Sequence, residues 1–214
     1  MPKWASGPTG HPKFWRRAKK ELSAADPVLA DVIKNCGRGG LTGHGDPFVT
    51  LVRAIVAQQI SVHAADAIWC RVDETAGGIS PNHIIARSEA ELHGAGLTRR
   101  KASYIRDMAL AFLDGSVATA NWHEKEDEEI IAELLKLRGI GRWTAEMFLI
   151  FHLLRPNILP LDDIGLIRAC ERHYAGGQSL ARKEIVVLAE SWQPWCSVAV
   201  WYLWRSLDPK PVAY

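Results

Sequence analysis

Gly139-Ile140-Gly141 lies between two stretches that both have helical spacing, and no other feature of the chain restricts its fold as tightly. Glu126 to Leu137 places Ile130, Ile131, Leu134 and Leu135 on one helical face behind an acidic first turn, which suits the positive end of a helix dipole. Two glycines around one apolar residue permit a positive φ and a tight turn that a Cβ would obstruct, so the helix stops there. Arg142 to Leu154 restarts with Trp143, Met147, Phe148, Ile150, Phe151 and Leu154 covering nearly every side, the pattern of a buried helix. Two helices joined by a glycine hairpin, over about residues 126–154, are the expected result.

Such a hairpin turns the first N–H groups of its second helix outward without intrahelical partners, a disposition that suits a phosphate. Arg142 and Thr144 stand beside them as further donors. A plain helix connection has the same sequence features, so the glycines alone do not choose between the two. Beyond the second helix, Pro160-Leu161-Asp162-Asp163 precedes a helical stretch from Ile164 to Tyr174. The carboxylate pair therefore sits at or near a helix N-terminus, where the dipole and unpaired N–H groups favour the ionised form.

The rest of the chain reads as helices too. Phe14 to Cys36 is broken near Asp26-Pro27, and Asp46-Pro47 is an N-cap acid followed by a proline at the first helical position, opening a helix that runs to about Gln58. Ser61 is placed to cap a helix from Val62 to Val72, which leaves Gln58 and Gln59 at a helix-helix junction. Two amides there either form a buried network or meet something outside the protein. Ser80-Pro81 starts another helix, Ser88-x-x-Glu91 is a capping box, and Thr98 to Leu113 follows with Arg99, Arg100 and Lys101 in its first turn. Those basic residues oppose the helix dipole, so they serve either a phosphate or simple solvation. No strand-like alternation occurs, and the expectation is an all-α domain of roughly ten helices.

The net charge is only +2, so any claim for nucleic acid rests on local clusters: Lys13 to Lys20, Arg99 to Lys101, and Arg138 with Arg142. Cys36, Cys70, Cys170 and Cys196 are too far apart for a zinc motif and fit reduced thiols. No apolar run of about 18 residues is present, so a cytoplasmic protein without membrane insertion is expected.

Leu137-x-Gly139-Ile140-Gly141-x-Trp143-Thr144-Ala145, followed by Pro160-Leu161-Asp162-Asp163, resembles the helix-hairpin-helix (HhH-GPD) DNA glycosylases, within them the bacterial 3-methyladenine DNA glycosylase II class. Pro47 to Arg71, around Ala57-Gln58-Gln59-Ile60-Ser61, and Trp192-Gln193-Pro194-Trp195 to Trp204 are similar to the same class, so the resemblance covers nearly everything from about residue 14. One departure is Arg138, where the family commonly has a proline before the first hairpin glycine.

The resemblance implies one two-lobed helical domain with its active-site cleft between the lobes, acting as a monomer on double-stranded DNA that contains alkylated bases. It implies base flipping and N-glycosidic cleavage in base excision repair, releasing 3-methyladenine first and 7-methylguanine second. Asp163 matches the catalytic aspartate, with Asp162 as cap or neighbour; Trp143, Trp204, Gln58 and Met147 match the base pocket, and Gln59 the wedge inserted into the duplex. Gly139, Gly141, Arg142 and Thr144 match the holders of the DNA backbone. Trp143 stands where relatives that also nick the strand carry a Schiff-base lysine, which implies a monofunctional enzyme. No cofactor is required; the cysteines lack the grouping of an iron–sulfur cluster, and the carbonyls of Leu135, Leu137 and Ile140 match a Na+ or K+ site. The length leaves no room for the extra N-terminal β-rich domain of the longer bacterial enzyme. A glycosylase for deaminated, mismatched or oxidised bases and a non-catalytic DNA-binding module remain the rival readings.

Overall fold

The computed structural model describes residues 12–37, 39–43, 45–60, 62–117 and 119–207, and among them every regular element is helical. Twelve α-helices follow one another: α1 (Trp15–Ala25), α2 (Pro27–Asn35), α3 (Pro47–Ala57), α4 (Val62–Ala76), α5 (Pro81–Ile85), α6 (Glu89–Gly94), α7 (Arg99–Leu113), α8 (Asp127–Leu134), α9 (Arg142–Phe151), α10 (Ile164–Tyr174), α11 (Arg182–Ala189) and α12 (Cys196–Leu207). The starts read from the sequence are where the caps are. Asp46 accepts the N–H of Val49 at the head of α3, and Ser88 with Glu91 closes the capping box of α6. The proposed Ser61 cap lies outside the described residues.

The count exceeds the roughly ten expected by α11 and α12, which follow the last helical stretch named from the sequence, and α11 has a weak signal. Its eight residues bury only Ile185 and Ala189, while Val186 and Val187 face outward, so its apolar spacing carries no helical stripe. The hairpin helices are also shorter than expected, ending at Leu134 and Phe151.

The chain divides into two compact units, one made of the residues up to Gly45 and from Leu149 onward, the other of Asp46–Phe148. In the first, α12 is the core element: every residue from Cys196 to Trp204 is buried. A helix apolar on all sides is stable only when neighbours surround it, and α1, α2 and α10 pack on it. Ser197 on this helix fixes the loop that leads into α10. Its hydroxyl donates to the Arg155 carbonyl at 2.6 Å and accepts the Ile158 N–H at 2.9 Å, while its own N–H donates to Pro156.

Asp26 ties the same unit together from the N-terminal side. One carboxylate oxygen caps α2 through the N–H groups of Val28 and Leu29, and the other accepts the Tyr174 hydroxyl at 2.7 Å and the Trp192 indole N–H at 3.0 Å. Burial, and then the bond to Asp26, push the Tyr174 phenol far above its ordinary pKa, so it stays a donor.

In the second unit, α7 packs on α3, α5 and α6, and the connection into α8 is anchored by Trp122, whose indole N–H donates to Glu133 at 2.9 Å. Trp122 is almost fully buried edge-on against Phe148.

Replacing the buried four-partner Asp26 should therefore cost far more than replacing an exposed cap. Asp26→Ala is expected to lower unfolding stability by roughly 3 kcal/mol and Asp46→Ala by about 1 kcal/mol, read from urea denaturation midpoints.

Candidate functional site

Asp163 is the N-cap of α10, and a single carboxylate oxygen, Oδ1, accepts both the Leu166 N–H and the Trp204 indole N–H, each at 2.6 Å. Only 9% of the residue is exposed, and a polar group this buried is costly unless it is hydrogen-bonded. Gly165 makes the arrangement sterically possible. A Cβ there would stand 3.0 Å from both Asp163 Oδ1 and Trp204 Cδ1, so the indole reaches the carboxylate only past a glycine. Asp162 is not the cap; it points outward and pairs with Arg182.

Trp204 sits in this unit as a donor to Asp163 rather than as an open aromatic face. Its ring lies parallel to Phe151, centroids 5.8 Å apart and planes 12° off parallel. Beside the carboxylate, Ile164 is 63% exposed, a large apolar side chain left in solvent at the first position of α10.

The second unit holds the hairpin and the glutamine loop. Gly139 has φ +89°, and a Cβ on it would come within 2.3 Å of the Tyr104 ring, so both the backbone and the packing demand glycine. Of the two glycines that permit a positive φ, Gly141 does not use it. Its φ lies outside the left-handed region, and a Cβ there would meet nothing within 4 Å. Arg138, standing where the family commonly has proline, is held by the protein: it pairs with Asp107 at 2.7 Å and lies over the Tyr104 ring at 5.4 Å.

Arg142 at the start of α9 bridges Glu128 at 2.5 Å and Glu146 at 3.1 Å. Thr144 is buried, and the Gln58 amide nitrogen reaches its hydroxyl at 3.4 Å while donating to the Gly139 carbonyl at 2.9 Å. Gln58 is thus bonded to the hairpin itself. Gln59 is exposed with φ +59°, a left-handed conformation uncommon for a residue with a Cβ.

Lys101 accounts for part of the basic first turn of α7. Its ammonium donates to the carbonyls of Val56 and Gln58, both at 2.8 Å, so it closes the C-terminal end of α3. Burial lowers its pKa from the ordinary lysine value. Arg100, one position earlier, bonds the Tyr104 hydroxyl at 3.0 Å.

Of the tryptophans described, all but Trp143 are buried; Trp143 is half-exposed at the first turn of α9, and Met147 one turn on is buried. The carbonyls of Leu135, Leu137 and Ile140 belong to the hairpin turn, and that of Leu137 accepts the Ile140 N–H at 3.1 Å. Among the described residues, no group of three or more His, Cys, Asp or Glu side chains is placed to hold a metal ion. No described helix is long and apolar enough to cross a membrane.

Residues 52–195 match the family described as HhH-GPD superfamily base excision DNA repair protein. This chain belongs to the HhH-GPD superfamily. Among HhH-GPD structures, DNA-3-methyladenine glycosidase from Bacillus halodurans superposes with a TM-score of 0.81 at 34% identity, covering 89% of each chain. Schizosaccharomyces pombe 3-methyladenine DNA glycosylase (Mag1), solved in complex with abasic-DNA, superposes with a TM-score of 0.78 at 28% identity, over 88% of this chain and 95% of that one. YfjP of Bacillus subtilis, named provisionally as a DNA-3-methyladenine glycosylase, is 31% identical over 173 residues; the alignment takes in 74% of this chain but only 58% of YfjP.

The two hairpin glycines make opposite predictions for stability. Gly139→Ala must accommodate both a positive φ and the Tyr104 ring, and is expected to cost roughly 2 kcal/mol or more in a urea unfolding titration. Gly141→Ala, with open space at its Cβ, is expected to stay within about 1 kcal/mol of wild type.

Proposed function

We propose that this chain is a monofunctional DNA glycosylase that excises alkylated purines, 3-methyladenine foremost and 7-methylguanine second, from double-stranded DNA. The observation that carries this reading is the fixed carboxylate of Asp163, held by two N–H donors on one oxygen at a helix N-terminus. A carboxylate pinned in this way is a preorganised negative charge, the group needed where positive charge develops on a sugar.

In the proposed reaction the bond between deoxyribose C1′ and the base nitrogen breaks, and the base departs with the bonding electrons. Alkylation has already made the base cationic, so little acid catalysis is required. Asp163 stabilises the oxocarbenium-like sugar and orients the water that adds to C1′, leaving an abasic site. The target base first leaves the stack, and an electron-poor flipped base is held well by an aromatic face, the role we give to the half-buried Trp143, with the buried Met147 one turn on in the same pocket reading. Trp204 serves the reaction from behind, by orienting Asp163.

The hairpin would grip the DNA backbone through its own backbone. Thr144 and Arg142 are engaged with Gln58, Glu128 and Glu146, which leaves the N–H groups at the start of α9 as the phosphate donors. Gly141 fits this role because its bare Cα lets a phosphate approach closely. The hairpin carbonyls of Leu135, Leu137 and Ile140, at the negative end of α8, are the donor type that a monovalent cation takes, and its charge would reinforce that grip. Trp143 offers no amine for a Schiff base, so strand nicking is not part of the reaction. Names of the relatives, both the 3-methyladenine enzymes and the abasic-DNA complex, support the substrate class.

The test is release of free base from methylated duplex DNA by wild type and by Asp163→Asn, with duplex affinity measured alongside. Asparagine keeps an oxygen for the Leu166 and Trp204 donors but loses the charge, so binding should persist while release falls roughly 100-fold or more. Wild-type binding without release from any lesion in a panel would instead favour a non-catalytic DNA-binding module.

A further inference from the structure

Three side chains on one face of α7 touch the two segments that meet DNA in the reading above. Lys101 holds the Val56 and Gln58 carbonyls; Tyr104, three residues on, packs against Gly139; Asp107, three further, pairs with Arg138. Residues spaced by three lie on one side of a helix, so the glutamine loop and the hairpin rest on a common rigid support. The Gln58 side chain closes the triangle with its bond to the Gly139 carbonyl.

At the apex of this arrangement Gln59 holds φ +59° while facing solvent. A non-glycine residue keeps that conformation only when its surroundings impose it. On its N-terminal side the constraint is visible: Lys101 fixes the carbonyl of Gln58, the atom that precedes the Gln59 peptide, and the side chain of the same Gln58 is bonded to the hairpin. The ammonium is well suited to this work, because α3 ends there with carbonyls that lack intrahelical partners and carry the negative end of the helix dipole.

We propose that Lys101 is a positioning residue for base extrusion: by clamping the Val56 and Gln58 carbonyls it keeps Gln59 in the left-handed conformation that presents its side chain to the duplex. This rests on the glycosylase reading for the word extrusion; the clamp itself is a property of the protein alone. Lys101 touches no reacting atom. Its effect passes entirely through Gln59, and that makes it separable from a merely structural lysine.

The experiment compares wild type with Lys101→Met, Lys101→Arg, Gln59→Ala and the double variant Lys101→Met/Gln59→Ala. Two readouts are taken on the intact chain: the single-turnover rate of 3-methyladenine release, and the fluorescence of 2-aminopurine placed beside a stable abasic analogue in the duplex, which reports unstacking by an inserted side chain. Loss of charge-assisted bonds predicts about a tenfold slower release for Lys101→Met with duplex affinity nearly unchanged, and a smaller 2-aminopurine signal. Lys101→Arg, which keeps charged donors, should recover most of both. In the Gln59→Ala background Lys101→Met should add nothing, since the two act as one unit.

Additive effects in the double variant, or a Lys101→Met protein whose only change is a lower melting temperature, would overturn the proposal. Should Lys101→Met fail to fold, Lys101→Gln decides: a lost 2-aminopurine signal at wild-type unfolding stability would support the clamp, and wild-type values of both readouts would overturn it. If wild type releases no base at all, the glycosylase reading fails, and the 2-aminopurine comparison still decides whether Lys101 controls Gln59.

Discussion

Two hydrogen bonds to one oxygen of Asp163 are the constraint around which the first unit is arranged. A carboxylate that is 9% exposed is costly unless its charge is met by donors, and here the donors are a helix N-terminus and an indole. Each donor needs support of its own. The N–H of Leu166 is in place because α10 begins at Ile164, capped by Asp163 itself, and Ser197 on the buried helix α12 fastens the loop from Arg155 to Ile158 that leads toward it. The indole is in place because Trp204 lies on the same helix α12, stacked on Phe151, and because Gly165 leaves it room. The buried helix therefore supplies both the anchor of the loop and the partner of the carboxylate.

The second unit solves a different problem, which is to hold exposed backbone rigid. In the proposed reading the first N–H groups of α9 meet a phosphate, and the turn that carries them is stiffened from the side. Tyr104 fills the space a Cβ of Gly139 would need, and Arg138 is stacked on that ring and paired with Asp107. Proline would stiffen such a turn by fixing φ; an anchored arginine does it by packing and charge. The glutamine loop is tied to the same turn through Gln58.

Much of this was legible in the sequence because it depends on local rules. Asp46-Pro47, Ser88 with Glu91, and Gly139-Ile140-Gly141 announce helix starts and a turn, and all are where they were expected. Asp163 as a helix-end carboxylate was readable for the same reason. What stayed hidden depends on residues far apart in the chain. Thr144 and Arg142 read as outward donors, yet Gln58 and two glutamates engage them. Lys101 read as one of three surface charges, although it closes a helix 43 residues earlier at Gln58. The need for glycine at 165 was present as Asp-Ile-Gly, but nothing local says that an indole 41 residues beyond Asp163 must pass beside it.

The most direct test of the central claim removes the indole donor while keeping an aromatic ring. Trp204→Phe keeps an aromatic ring to stack on Phe151 and takes away the N–H that fixes Asp163. The measurement is the single-turnover rate of base release from methylated duplex DNA, with affinity for abasic duplex and melting temperature recorded for the same preparations. The account predicts about a tenfold slower release with affinity close to wild type and a lowered melting temperature, because a buried carboxylate loses a donor; the rate effect is the size expected for one charge-assisted hydrogen bond at the proposed catalytic group. An unchanged rate would contradict it, because Asp163 would then do its work without being held.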